Sequence, residues 1–190
     1  MLGTSKDIKY PGLNILPPGV ERHVVNGGAL TAFQIFPDDE LEIINNEGNQ
    51  ICEIICFNKD GKSDVGILNL KSNNDKNFIR SILNNKDETI LATNHQLIKR
   101  NLNISDSKSS IIFNLDTKAG ESFKLKSKDK CYAIFAAPSE DMDVTNQNPP
   151  SDLTIFIKRS QIVNDKELNV IPDPVFEPLY EENINKETSI

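Results

Sequence analysis

Tryptophan is absent from this 190-residue chain, histidine and methionine occur twice each, and cysteine three times. The shortage of imidazole and thiolate limits the chemistry on offer. A zinc centre needs three or four convergent N, S or O ligands. His23 and His95 lie in separate segments, with no HxH, HExxH or CxxC spacing around them, so no metal motif is read. No Ser–His–acid or Cys–His–acid arrangement carries a local signature either. Gly27-Gly28 sits in neither GxxxxGK[ST] nor GxGxxG, which leaves it a turn or a backbone that hugs a ligand rather than a phosphate loop.

Long apolar runs are also missing. No stretch nears the ~20 apolar residues a spanning helix needs, and Met1 to Tyr10 has no apolar core of a signal peptide. A basic excess is missing too: 21 basic residues face 28 acidic ones, a net charge of −7. Phosphate binding needs a basic footprint, so nucleic acid and anionic membranes are excluded as expected partners. Cys52, Cys56 and Cys131 are odd in number and sit inside apolar runs. That argues against a disulfide framework and for a reducing compartment, with the cytoplasm as the expected location.

What is present is a β pattern. Asn26-Gly27-Gly28, Pro37-Asp38-Asp39, Asn45 to Asn49 and Asp60-Gly61 punctuate the runs Ala29 to Phe36, Glu40 to Asn45 and Ile51 to Asn58. Short turns between consecutive strands predict an antiparallel meander. In the middle, Asn74 or Asp75 is placed to cap a helix through Asn85, with Phe78, Ile79, Ile82 and Leu83 as its apolar stripe. Asn94 opens a second short helix bearing Leu97, Ile98 and Leu102. Strands are then expected at Ile111 to Leu115, Ser122 to Lys126, Cys131 to Ala137 and Leu153 to Lys158. The expected fold is mainly β (α+β), an antiparallel barrel or sandwich with one or two short inserted helices. The expected division is an irregular segment 1–21, a β domain 22–163 and an acidic Pro/Glu-rich tail or linker 164–190.

Two acids stand out. Glu53 lies between Cys52 and Ile54 in an apolar strand. Burying a lone carboxylate is costly, so Glu53 is either exposed, structurally paired, or a pocket acid. Asp152 follows Pro149-Pro150-Ser151 and precedes a strand, which fits turn chemistry or a pocket acid. Cys52 and Cys56 share one face of a strand and read as core thiols or as part of a metal or thiol site.

The segment Gly27 to Asn58 resembles the urea carboxylase-associated family, whose members carry Gly-x-Gln-x-x-Asp/Glu-x-x-x-Phe. Gly48, Gln50, Glu53 and Phe57 match that motif. Cys131 to Lys158 is similar to the family's closing strand pair. The opening Pro-Pro-Gly-Val-Glu-Arg and Pro-Pro-Ser-Asp-Leu look like the type found ahead of folate-binding aminomethyltransferase (glycine cleavage T-like) domains. The resemblance implies a role in one-carbon or nitrogen metabolism, an aminomethyltransferase-type or carboxylase-type partner, and zinc or folate as conceivable cofactors. The middle segment of this chain, Ser72 to Ser110, has no cysteine and only His95, so the site is expected to be degenerate and no cofactor is predicted. Gln50, Glu53, Asn58 and Asp152 form the candidate ligand-binding set.

Three readings follow. The first is a non-catalytic or weakly catalytic domain binding a small molecule or partner. The second is a metal-dependent hydrolase or deiminase acting on an amidine or urea-like compound, and the third a structural subunit. The histidine cluster of the cupins is absent, which sets that family aside.

Overall fold

A computed structural model describes residues 16–73, 78–83, 95, 97–102, 104, 107–139 and 149–160. Eight strands carry the architecture: β1 Val20–Val25, β2 Leu30–Ile35, β3 Glu40–Asn45, β4 Cys52–Asn58, β5 Ser109–Phe113, β6 Glu121–Lys126, β7 Cys131–Ala136 and β8 Leu153–Lys158. Between β4 and β5 lie a 3-10 turn, Val65–Leu68, and one short helix, α1 Phe78–Leu83. Residues 97–99 are helical as well. The β-rich fold with short inserted helices agrees with the sequence expectation. The tail 164–190 and the run Thr89 to Ala92 lie outside the described residues.

The strands form two four-stranded antiparallel sheets, ordered β1-β8-β3-β6 and β2-β7-β4-β5. Odd and even strands of the first half alternate between the sheets, which is the double-sheet jelly-roll arrangement. The expected meander is therefore corrected. β2, β3 and β4 follow one another through short turns, yet β2 pairs with β7, β3 with β6 and β8, and β4 with β5 and β7. A short turn can fold a chain back into a hairpin or carry it across to a facing sheet ~10 Å away. The burial of both faces of β2 and β4 decides for the second.

Two apolar layers hold the domain. Phe33, Ile54, Phe135, Ile43, Leu125 and Ile155, among others, fill the space between the sheets. Ile55, Phe57, Ile134 and Leu30 on the outer face of the β2-β7-β4-β5 sheet pack under Ile79, Leu83, Leu97 and Leu102. The period of two along β4 thus sends Cys52, Ile54 and Cys56 to the inner core and Ile55 and Phe57 to the helix-covered face. All three cysteines are free and buried.

Candidate functional site

Gln50 precedes β4 and is nearly out of water. Its Nε2 donates to Ile51 O at 3.0 Å and to Pro138 O at 2.9 Å, while its Oε1 accepts the Ser151 amide at 2.7 Å. Pro138 follows β7 and Ser151 precedes β8, so one side chain ties both ends of the β7–β8 connection to the start of β4. Asp152 stands next to this clamp. Its Oδ1 accepts the Gly27 amide at 2.9 Å and its carbonyl accepts from Asn46 Nδ2 at 3.1 Å. A side chain at position 27 would put Cβ 2.4 Å from Pro150 O, so glycine is required there by close approach of two backbones. The turn reading of Gly27-Gly28 and of Asp152 matches this geometry.

Glu53 is completely buried on the helix-covered face, and its Oε2 accepts the Ile79 amide at 2.6 Å. The carboxylate caps the first turn of α1 and fixes that helix to β4. Asn58 lies at the other end of β4, about 16 Å of strand away from Glu53. Its Oδ1 accepts from the Asp60 and Lys62 amides at 3.0 and 2.9 Å, which closes the Asp60-Gly61 turn. The fold brings Gln50 and Asp152 together, leaves Glu53 on the opposite side of β4 from the inner core, and sends Asn58 to the far end.

Zinc fits this donor set poorly. The thiols point inward, while Glu53 points outward from the same strand. Among the described residues no three His, Cys, Asp or Glu side chains converge. Burial drives the Cys52 and Cys56 thiols well above their ordinary pKa, with nearby Glu53 adding to the effect at Cys52 and Cys131 at Cys56. Neutral thiols in an apolar core are inert.

A partly buried ionic cluster at the β1–β8 end has no local sequence signal. Arg159 follows β8 and donates through Nη1 to Asp39 Oδ2 at 2.7 Å and to Gln34 O at 2.9 Å. Its Nε and Nη2 form a fork on the two oxygens of Glu21 at 2.7 and 2.9 Å. His23 Nε2 meets Glu21 Oε2 at 3.0 Å. Burial would raise the Glu21 pKa, but the hydrogen bonds from His23 and Arg159, with their charges, outweigh it and hold the carboxyl at about 2. Asp39 uses its other oxygen on the Ser160 amide. Every acceptor faces a donor, so the cluster is a structural lock joining β1, β8 and the β2–β3 turn.

A concavity among the described residues lies elsewhere. On the β1-β8-β3-β6 sheet, Leu41, Ile43, Leu125, Ile155 and Ile157 face the core, so the alternate residues face outward. Register sets Val20, Lys158, Glu40 and Lys126 in one row and Arg22, Phe156, Glu42 and Lys124 in the next. A cleft of about 800 Å³ follows this face and rounds the β6 edge, where Leu70 and Phe123 line it, with Leu16 and Pro17 at the opposite side. Its size falls within the ~300–1,000 Å³ of small-molecule sites.

No protein-family model matches the chain. It is similar to a curated protein. That relative is the trimethylamine-oxide aldolase of Ruegeria pomeroyi, 29% identical over 182 residues. The match takes in 96% of this chain but 23% of the relative, so the chain spans about a quarter of the length of the protein it resembles. The similarity runs through both sheets rather than through one motif.

The cleft was missed in the sequence for a simple reason. Glu40, Glu42, Lys124 and Lys126 each read as the solvated side of a strand, and only the register across β3 and β6 sets them side by side. Arg159 and Asp39 were missed because 120 residues separate them and no spacing rule joins them.

Proposed function

We propose that this chain is a binding domain of the urea carboxylase-associated kind, non-catalytic or weakly catalytic alone, serving a larger enzyme of one-carbon or nitrogen metabolism. The observation that carries the reading is the commitment of Gln50, Glu53, Asn58 and Asp152 to the scaffold, while an apolar cleft with a charged rim opens on the other sheet. The relative's length supports the same reading, because a domain matching 23% of a named aldolase is one part of that protein. The site residues move accordingly: Val20, Phe156 and Phe123 offer apolar contact, and Lys124, Lys126 and Lys158 offer charge. Zinc and folate have no role in this reading, and an aminomethyltransferase-type or carboxylase-type protein remains the expected partner.

Two measurements on the purified chain test it. Incubation with trimethylamine oxide, followed by proton NMR, is expected to show no loss of that compound; turnover by the chain alone would replace the binding domain with an enzyme. Titration with the fluorescent apolar anion anilinonaphthalene sulfonate is expected to saturate at one site and to weaken at least fivefold in Phe156→Asp. An unchanged titration in that variant would remove the cleft from the reading.

A further inference from the structure

β6 is the last strand of its sheet and pairs with β3 alone. All of its residues but Leu125 are exposed. Two hydrogen bonds define which backbone groups form its free edge. The Ser127 amide donates to Asp39 O at 3.0 Å, towards β3, while Lys126 O accepts from Asn69 Nδ2 at 3.1 Å, away from β3. An antiparallel strand turns the N–H and C=O of one residue to one side and those of the next residue to the other. Ser122 and Lys124 therefore aim their amides and carbonyls off the sheet, as Lys126 does.

Other edges of the sandwich are covered. Asn73 closes β5, accepting the Ile111 amide at 2.7 Å on its Oδ1 and donating to Ile111 O at 3.0 Å through Nδ2. Arg159 takes Gln34 O on β2 at 2.9 Å. Among the described residues, no group outside the sheet bonds the backbone of Ser122 or Lys124. Lysines commonly guard an edge strand. Here Lys124 and Lys126 hold Glu42 and Asp38 at 3.6 and 3.0 Å, on β3 and in the turn before it rather than over the free edge.

The same strand carries an uncovered aromatic ring. Leu125 faces the core, so Phe123, two residues earlier, shares that face, yet it is 37% exposed. Phe113 meets it edge-on, with ring centroids 6.5 Å apart, and props the ring at the rim of the sandwich.

This edge complements itself. A second copy laid antiparallel against it must set outward-aimed residues opposite outward-aimed ones. A pairing centred on Lys124 opposes two ammonium groups and calls on Lys126 O, which Asn69 already occupies. A pairing centred on Ser122 calls on Gly120, whose amide already donates to Asn45 O at 2.7 Å. A pairing centred on Phe123 uses only free groups. Ser122 and Lys124 of one copy exchange N–H···O bonds with Lys124 and Ser122 of the other. The two Phe123 rings then meet at a non-hydrogen-bonded position, where facing side chains are closest and aromatic pairs are stabilising.

We propose that two copies of this chain associate through β6, antiparallel and centred on Phe123, joining their β1-β8-β3-β6 sheets into one continuous sheet. The inference goes beyond the reading of the cleft and stands whether or not the cleft takes a ligand. Because Phe123 and Lys124 line the cleft, the second copy forms part of its wall.

Sedimentation velocity of the full chain over a range of concentrations is expected to show a reversible shift from 21.3 kDa to twice that mass. Ser122→Pro removes an amide that the sheet does not use, so it is expected to weaken association at least tenfold with the urea midpoint unchanged. Engineered cysteines test the register, and the native ones are buried. In oxidised glutathione, Phe123→Cys is expected to cross-link to itself at least fivefold faster than Lys124→Cys does. An equal mixture of Ser122→Cys and Lys124→Cys, which keeps Phe123, is expected to cross-link faster than either variant alone. If Ser122→Pro fails to fold, these cross-linking rates decide the matter. A monomer at every concentration overturns the proposal and leaves the edge to a strand of a different protein. Association unchanged in folded Ser122→Pro, or Lys124→Cys linking to itself as fast as Phe123→Cys, overturns it in favour of a different interface.

Discussion

Arg159 and Asp39, 120 residues apart in the chain, meet at 2.7 Å with only 8% and 1% of their side chains exposed. Removing one partner of a buried pair strands the other charge, which costs about 3–5 kcal/mol. Arg159→Met and Asp39→Asn are each expected to lower the unfolding free energy by that amount in urea melts. Arg159→Lys is expected to recover little, because an ammonium cannot reproduce the fork on Glu21. A loss under 1 kcal/mol for Arg159→Met would show the lock to be dispensable.

Glu21 predicts an acid-side signature. Its folded pKa of about 2 lies below the ordinary 4.5, so the folded state binds this proton more weakly than the unfolded one. The resulting stability is present in full above pH 4.5 and is lost as the pH falls towards about 2. The stability difference between the parent and Glu21→Gln should therefore shrink steadily from pH 5 to pH 2. A difference constant across that window would remove Glu21 from the account.

Gln50 holds two backbone groups that have no other described partner, Pro138 O and the Ser151 amide. Gln50→Leu is expected to cost about 2–6 kcal/mol, since each group left unpaired away from water costs about 1–3 kcal/mol. Hydrogen exchange at Ser151 should accelerate beyond the global loss, a change that a simple packing defect would not single out.

Two glycines should separate close approach from backbone conformation. Gly27→Ala must push Cβ against Pro150 O at 2.4 Å and displace the start of β8, whereas Gly120 has φ +77° and open space around its Cβ position. Gly120→Ala is expected to cost about 1 kcal/mol, and Gly27→Ala more than twice that by thermal melting. Equal costs would contradict the tight contact.

Much of the fold was legible because period-two patterning is local. Glu40 to Ile43 alternates charge and apolar residue within the expected strand Glu40 to Asn45, and β3 has those bounds; Leu153 to Lys158 likewise became β8. The stripe Phe78, Ile79, Ile82, Leu83 marked a helix, and Ile79 and Leu83 do pack on the sheet. Pairing was not legible, because a turn such as Pro37-Asp38-Asp39 specifies a change of direction but not which sheet receives the next strand. The candidate residues were found for their unusual settings, and the described hydrogen bonds give each of them a partner in the scaffold. Glu53 is buried because it caps α1, and Gln50 because it clamps a connection. The ionic lock and the cleft depend on contacts across more than 80 residues, which no local pattern records.

The pairing of β1 with β8 bears on how the protein is made. None of the pairings between the eight described strands joins neighbours across a tight turn, so few contacts reward the chain early and folding is slow for its size. At synthesis rates of roughly 10 residues per second, β1 leaves the ribosome on the order of ten seconds before its partner exists. Until β8 arrives, β3 also lacks one of its two neighbours, and the sheet cannot close. The nascent domain thus waits with unpaired strand edges, and a chaperone that shields such edges should raise its yield more than one that accelerates late rearrangement.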